Sequence, residues 1–302
     1  MKYMKQSPKV SFIVVNYNGI ENTRELLSTM QLFLKNLCYE VIVVDNGSFT
    51  NEVELLIIEF PWIITVRSKI NLGFSGGNNL GIKASSGQYL LLLNNDTILI
   101  DNSICELVNM LENNLTIGAI SPKIHFMNPT KTIQYAGFSD FTKITLRNKT
   151  IGSNELDNGQ YDTPTKTAST HGAAMIIRRE VVDKVGLMPE IYFLYYEEFD
   201  WCEKMKSFGY ELWYQPSTLI IHKDGQSVGQ NSYLKCYYIT RNRLLFAWRN
   251  RVGIEKFLSI TYQLSIAIPK GILQSLYLRR FDLIKASFLG SLDFFLIKNK
   301  YL

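Results

Sequence analysis

The chain has 302 residues, 46% of them hydrophobic, enough for one large α/β domain with an appendage. Its four cysteines (Cys38, Cys105, Cys202, Cys236) form no C-x-x-C pair, which excludes a disulfide framework; they are expected to be reduced and mostly buried, as suits the cytoplasm. No run reaches the roughly 18 apolar residues of a membrane span; the best candidate, 257–269, is shorter and interrupted by polar residues, and the polar, basic residues 1–8 do not read as a secretory signal.

Taken in chain order, residues 10–16 (VSFIVVN) form a short apolar, β-branched run and predict a buried strand. Residues 21–34 carry apolar positions at helical spacing. EVIVV at 40–44 predicts a second buried strand ending in the turn residues Asp45-Asn46-Gly47-Ser48. A helix over 51–59 and a strand over 63–67 follow. A glycine-rich stretch, 71–77, is expected to be a loop leading into a helix over 78–85. The strand at 89–93 stops at Asn94-Asn95-Asp96. Residues 128–170 are polar and turn-rich. Strands are expected again at 173–177, 212–214 and 218–221, a helix at 200–208, and helices from Ser232 onward.

Strands alternating with helices predict a parallel sheet covered on both faces. Ligands then bind beyond the carboxyl ends of the strands, where the clusters 16–18, 45–48 and 94–96 all fall.

Three places carry chemistry. Asp96, at the end of a buried strand, suits a hard divalent cation that in turn holds a diphosphate, although a lone strand-end Asp is more often a turn or cap. The segment Tyr195-Tyr196-Glu197-Glu198-Phe199-Asp200-Trp201 sets three acids among aromatics. Like charges so close raise one another's pKa, and a partly desolvated carboxylate is a plausible general base; acids also simply favour a helix N-terminus. His222 closes an apolar run and would suit Mn²⁺ as a partner to Asp96, though a lone strand-end His is more often structural.

The net charge divides unevenly. Residues 1–234 hold 20 Lys and Arg against 24 Asp and Glu, while 235–302 hold 12 against 3. A basic, aromatic tail on an acidic body suggests contact with an anionic membrane surface; the competing account is a helical appendix with a solvated basic face.

The motifs VVNYNG, VVDNGS, NLGFSGGNNLGI, LLLNND, GAAMIIRREVVDKVGLMPE, YYEEFDWCEKMKSFGY and the closing P-x-x-x-x-x-H (Pro216 to His222) occur in the order seen in inverting family 2 glycosyltransferases. Over residues 8–249 the chain most resembles their rhamnosyltransferase-like branch. The resemblance implies a GT-A fold. It divides residues 1–234 into a nucleotide-sugar-binding half (about 1–125) and an acceptor half (126–234), with 235–302 as a helical segment. Carried over by position, Asn16, Tyr17 and Asn18 would line the nucleoside pocket and Asp45 would contact base or ribose. Asn71, Gly73, Gly76, Gly77 and Asn79 would form the loop that lets backbone approach the donor. Asn95 and Asp96 would lie against the diphosphate, and Asp96 and His222 would ligate Mn²⁺ or Mg²⁺. Glu198 falls at the catalytic base, with Glu197 or Asp200 sharing the role. Asn94 stands where many members carry Asp, and Glu198 stands where the acidic pair more often ends in Asp.

The resemblance implies transfer of a sugar, rhamnose first, from a dTDP- or UDP-linked donor to a glycan or lipid-linked acceptor in cell-surface polysaccharide or glycolipid synthesis. The expected place is the cytoplasm, peripheral on the inner face of the membrane, with no nucleic-acid partner. Two alternatives stand beside it. Gly73-Phe74-Ser75-Gly76-Gly77 satisfies G-x-S-x-G, and chain order permits an α/β-hydrolase triad of Ser75, Asp200 and His222. A non-catalytic sugar-binding protein is the other, against which Asp96 and Glu198 are both present. A dinucleotide oxidoreductase lacks its G-x-G-x-x-G after the first strand.

Overall fold

The computed structural model describes residues 8–35, 37–223 and 232–299; the polar, basic start read above lies, through Ser7, outside them. The elements are β1 (Val10–Asn16), α1 (Ile20–Phe33), β2 (Tyr39–Asn46), α2 (Glu52–Glu59), β3 (Ile64–Ser68), α3 (Gly73–Ala84), β4 (Tyr89–Asn94), β5 (Thr97–Leu99), α4 (Ile104–Asn113) and β6 (Ile117–Phe126). They continue with β7 (Ile133–Tyr135), β8 (Thr165–Lys166), β9 (Ala174–Arg178), α5 (Arg179–Val185), α6 (Glu197–Ser207) and β10 (Glu211–His222). Four helices close the chain: α7 (Tyr233–Asn250), α8 (Gly253–Tyr262), α9 (Ile268–Tyr277) and α10 (Phe281–Ile297), with a π-helical turn, Gln263–Ala267, between α8 and α9.

The sheet runs in the order β3-β2-β1-β4-β9-β6-β10-β5, with β7 and β8 added at β6 and β10. The strands β3, β2, β1 and β4 are parallel, as expected from their alternation with helices; β2, β1 and β4 are continuous buried apolar runs, and β3 is the exposed edge. The rest corrects the all-parallel expectation. β9 inserts antiparallel to both β4 and β6, so the sheet is mixed. Its residues AMIIR are buried on both faces, and an apolar run of this kind does not encode strand direction.

Two predicted strands, 212–214 and 218–221, are one strand, β10. Its register against β6 slips between Gln215 and Leu219, where Pro216 has no N–H to give the ladder. β6 escaped prediction because Ser121, Pro122 and Lys123 interrupt its pattern; all three are nonetheless buried. Of the cysteines, only Cys202 is fully buried, and Cys38 is exposed; none of the four is in a disulfide.

The C-terminal helices share a core with the body. Leu244, Leu245, Phe246 and Ala247 of α7 pack with Leu146, Tyr192, Tyr196 and Phe294. The boundary expected at 234/235 therefore falls within the first turn of α7. The outer faces of α8 to α10 leave large apolar side chains in solvent, among them Ile254, Phe257, Leu273, Tyr277, Phe281 and Phe288. No helix among the described residues is long and apolar enough to cross a membrane.

Candidate active site

The site lies at the carboxyl ends of β1, β2 and β4. Asn16 pairs in register with Asp45, and Val15 with Asn94, so three polar clusters from distant sequence meet at one edge. Asn16 is fully buried; its amide donates to Glu52 Oε2 at 2.6 Å and its carbonyl accepts from Thr23 Oγ1 at 2.8 Å. Glu52 also accepts from the Gly19 N–H. In sequence it reads as an ordinary first-turn helix acid, yet it holds the 16–19 turn in place. Asn18, at φ 50°, accepts from the Phe49 N–H and donates its own N–H to Ser48 Oγ. Tyr17 stands half-exposed beside the exposed ring of Phe49. Asp45 is buried: Oδ1 accepts from the Ser48 N–H at 2.9 Å, and Arg67 Nε lies 3.3 Å from Oδ2.

The glycine-rich segment corrects the sequence reading. It is not a loop: α3 starts at Gly73, so Gly76, Gly77 and Asn79 lie inside a helix. Only Asn71 precedes it, accepting from the Gly73 N–H at 2.8 Å. The glycines serve close packing. A Cβ on Gly77 would meet Val15 Cγ1 at 2.8 Å, and one on Gly81 would meet Ile13 Cγ2 at 2.4 Å, so α3 lies directly on β1. The Asn79 amide is engaged by Met188 and Glu190 and ties α3 to the segment that leads into the acidic pair. Gly73 has a second duty. Its φ is +73°, and a Cβ there would lie 2.1 Å from the Phe193 carbonyl oxygen, which instead accepts from the Phe74 N–H at 2.7 Å.

At the end of β4 the three residues diverge. Asn95 turns back to Thr23 and the Gly19 carbonyl. Asp96 is buried, with Oδ1 3.1 Å from His222 Nε2; Asn94 Nδ2 is 3.4 Å from the same nitrogen. The other ring nitrogen, Nδ1, faces Gln134 Oε1 at 2.8 Å. With the Nδ1 proton given to Gln134, the Nε2 lone pair and the Asp96 carboxylate face each other, a donor set that fits a cation. No sequence signal marked Gln134. Among the described residues no cluster of three or more His, Cys, Asp or Glu is arranged for a metal, so Asp96 and His222 are two candidate ligands, and a cation held there would take its remaining ligands from water or a bound molecule.

The acids sit at the start of α6, which begins at Glu197 rather than at Asp200 as expected. The residues before it are contorted: Phe193, Tyr195 and Tyr196 all have positive φ, 63°, 68° and 76°, each disfavoured by roughly 1–2 kcal/mol for a bulky residue. Glu197 is buried, with Oε2 lacking a hydrogen-bond partner. Burial, and then the neighbouring Glu198 charge, push its pKa well up. Burial pushes Glu198 up to about 7. A methyl group placed on Gly172 would lie 3.9 Å from Glu198 Oε1 and 3.6 Å from the Phe74 ring, so Gly172 leaves open a small space beside the carboxylate. The adjacent His171 accepts the Ala173 N–H at Nδ1, and its ring centroid lies 6.3 Å from that of His222. The 171–172 turn thus stands between the acids and the Asp96–His222 pair. Asp200 does not share the base position. It binds Arg249 at 3.0 Å and Asn250, both of α7.

The hydrolase alternative fails on geometry. Ser75 is fully buried inside α3 rather than exposed at a strand-to-helix turn. His222 is spent on Asp96 and Gln134, and Asp200 on α7.

A Rossmann-like half with a buried acid at its edge, joined by an antiparallel strand to a half that bears a facing histidine and the acidic pair, is the architecture of a GT-A glycosyltransferase. The solved structure of GalNAc-T7 with UDP, GalNAc and Mn²⁺ has the same fold: TM-score 0.63 at 17% identity, spanning 87% of this chain and 57% of that one. The family model for glycosyl transferase family 2 matches residues 11–186, and the chain belongs to that family. Among curated relatives it is 24% identical over 292 residues to the dTDP-rhamnosyl transferase RfbF of Shigella flexneri, covering 93% of both chains. It is 27% identical over 253 residues to the low-salt glycan biosynthesis hexosyltransferase Agl10 of Haloferax volcanii, covering 78% of this chain and 74% of that one.

Proposed function

We propose that the protein transfers a sugar, rhamnose first among candidates, from a dTDP- or UDP-linked donor to a hydroxyl of a glycan or lipid-linked acceptor, with inversion at the anomeric carbon. The observation that carries this reading is Glu198. It is a carboxylate poised near neutrality beside the space at Gly172, across one turn from the Asp96–His222 pair. The names of the two relatives, a dTDP-rhamnosyl transferase and a glycan-biosynthesis hexosyltransferase, support the donor class and a role in cell-surface polysaccharide or glycolipid synthesis.

In this reading Asn16, Tyr17, Asn18 and Asp45 receive the nucleoside. Asn71 and Gly73 lie on the donor side at the start of α3, where the Gly73 and Phe74 N–H groups are already given to Asn71 Oδ1 and the Phe193 carbonyl. Burial and the neighbouring carboxylate keep Glu197 protonated at neutral pH, so Glu198, raised to about 7, is the member of the pair that ionises there. Glu198 takes the proton of the acceptor hydroxyl. That oxygen bonds to the anomeric carbon as the bond to the diphosphate oxygen breaks on the opposite side. Asp96 and His222 would hold Mn²⁺ or Mg²⁺, which when bound neutralises charge on the diphosphate. Residues 235–302 seat the enzyme on an anionic membrane from the cytoplasmic side; their +9 balance and exposed apolar side chains support this.

The test is a donor screen measuring nucleoside diphosphate release in Mn²⁺ and in EDTA, with Asp96→Ala in parallel. Turnover with a dTDP- or UDP-sugar that needs the metal, and Asp96→Ala reduced to the EDTA level, is the expected result. Equal loss of nucleotide affinity in Asp96→Ala with and without metal would make Asp96 structural.

A further inference from the structure

The contorted segment before the acidic pair is held by groups that belong to the C-terminal helices. Asn242 of α7 is fully buried, and its Nδ2 donates to the carbonyls of Tyr192 (3.0 Å), Leu194 (2.7 Å) and Tyr195 (2.8 Å). The Nη2 of Arg241, also buried, donates to the carbonyls of Ile191 (3.1 Å) and Tyr192 (2.6 Å). Arg241 Nε donates to Asn242 Oδ1 at 2.8 Å, which fixes the amide with its Nδ2 toward the loop. The remaining carbonyl, Phe193, is taken by the Phe74 N–H. Every carbonyl from 191 to 195 thus has a donor from α7 or α3, while Phe193 and Tyr195 of the stretch, and Tyr196 just after it, are bent into the left-handed region. Above the guanidinium, Tyr238 lies 4.8 Å from its centre and stacks on Phe193 at 5.2 Å.

We propose that Arg241 and Asn242 are positioning residues for the acidic pair: from α7 they lock the 191–195 backbone in the conformation that aims Glu197 and Glu198 at the acceptor hydroxyl. The inference rests on the transferase reading of the site. A backbone in unfavourable φ persists only where its surroundings over-determine it, and buried carbonyls left without donors would draw it elsewhere. A merely packed helix needs neither a guanidinium nor an amide here. One amide and one guanidinium reach four carbonyls of a five-residue stretch, and that stretch ends two residues before Glu197.

The experiment uses the full chain with Asn242→Ala, Asn242→Asp and Arg241→Lys. Asn242→Asp keeps the shape and replaces the donor by an acceptor facing carbonyls. The expected result for both Asn242 variants is a fall in kcat on the order of 10²-fold, the penalty of a displacement of about 1 Å in reacting geometry. Donor affinity should stay within about twofold, and the acidic limb of the kcat/KM profile should move. Arg241→Lys, which keeps one donor and the charge, should lie between these and wild type. Hydrogen exchange over residues 191–199 should quicken in the Asn242 variants whether or not a donor has been identified, which separates failure of the clamp from failure of the transferase reading. Unchanged kcat in a folded Asn242 variant, or losses in proportion to the unfolded fraction with the pH limb and loop exchange unmoved, would overturn the proposal. If the Asn242 variants do not fold, wild-type kcat and pH profile in Arg241→Lys would overturn it.

Discussion

Glu198 combines two effects that pull apart. Its pKa is raised from 4.5 to about 7, mainly by burial. The folded protein therefore keeps a proton that the unfolded chain has released between those values, and stability declines as pH rises through that window. Above pH 7 the ionised group destabilises the fold by about 1–3 kcal/mol, given 1.36 kcal/mol per unit and some relief from partial exposure. Glu198→Gln should thus abolish transfer, by about 10²- to 10⁴-fold, while leaving donor binding intact. It should also raise Tm at pH 8 by a few degrees, at roughly 2–4 °C per kcal/mol, and leave Tm unchanged near pH 4.5. Wild-type kcat should climb from pH 6 to 8. Residual turnover within about tenfold of wild type would reassign the base. The acids, Asp96 and His222 were legible in sequence because chemistry needs those residue types at strand ends and helix starts. Glu52, Gln134 and Asn242 were not, because an orienting partner is defined by what it touches and leaves no pattern along the chain.

At the scale of elements, buried parallel strands announced themselves by apolar runs, while the start of α3 was hidden by its glycines and only its later part, 78–85, was expected. Its first glycines, Gly73, Gly76 and Gly77, were read as loop residues from composition, whereas they are helical positions; at Gly77 and Gly81 β1 comes too close for a side chain. Gly73→Ala should destabilise the protein by more than about 2 kcal/mol, since it adds a left-handed residue and a clash with the Phe193 carbonyl. Gly271→Ala is the matched control. It lies within α9 with nothing within 4 Å of the added Cβ, so it should stabilise by up to about 1 kcal/mol. Thermal unfolding of the two variants checks both signs. If Gly73→Ala unfolds like wild type, the tie between α3 and Phe193 is not what holds the two halves together.

For the whole molecule, the membrane role is best tested without deleting the tail, because a chain cut after residue 234 loses Arg241 and Asn242 and uncovers Tyr192 and Tyr196. The intact chain should sediment with vesicles containing anionic lipid at low salt and release as salt rises, since attraction is screened beyond about 10 Å at 0.1 M. Phe281→Ser with Phe288→Ser should weaken binding at every salt concentration, while Lys270→Glu with Lys285→Glu should remove the salt-sensitive part. Wild-type protein remaining in the supernatant at low salt would leave the basic face as solvated surface.

The same tie through α7 sets a timetable for synthesis. Chains emerge from the ribosome amino terminus first, and their domains fold in that order. The nucleotide-binding strands can assemble early, and the two acids are in hand by residue 198. Their carbonyl clamp arrives only with residues 241 and 242, and the Gly290 position of α10, whose added Cβ would meet the Tyr237 carbonyl at 2.6 Å, comes later still. On the transferase reading proposed above, the nucleoside side of the site (Asn16 to Asp45) is made long before the clamp, and a nascent chain could transfer sugar only after α7 has left the exit tunnel.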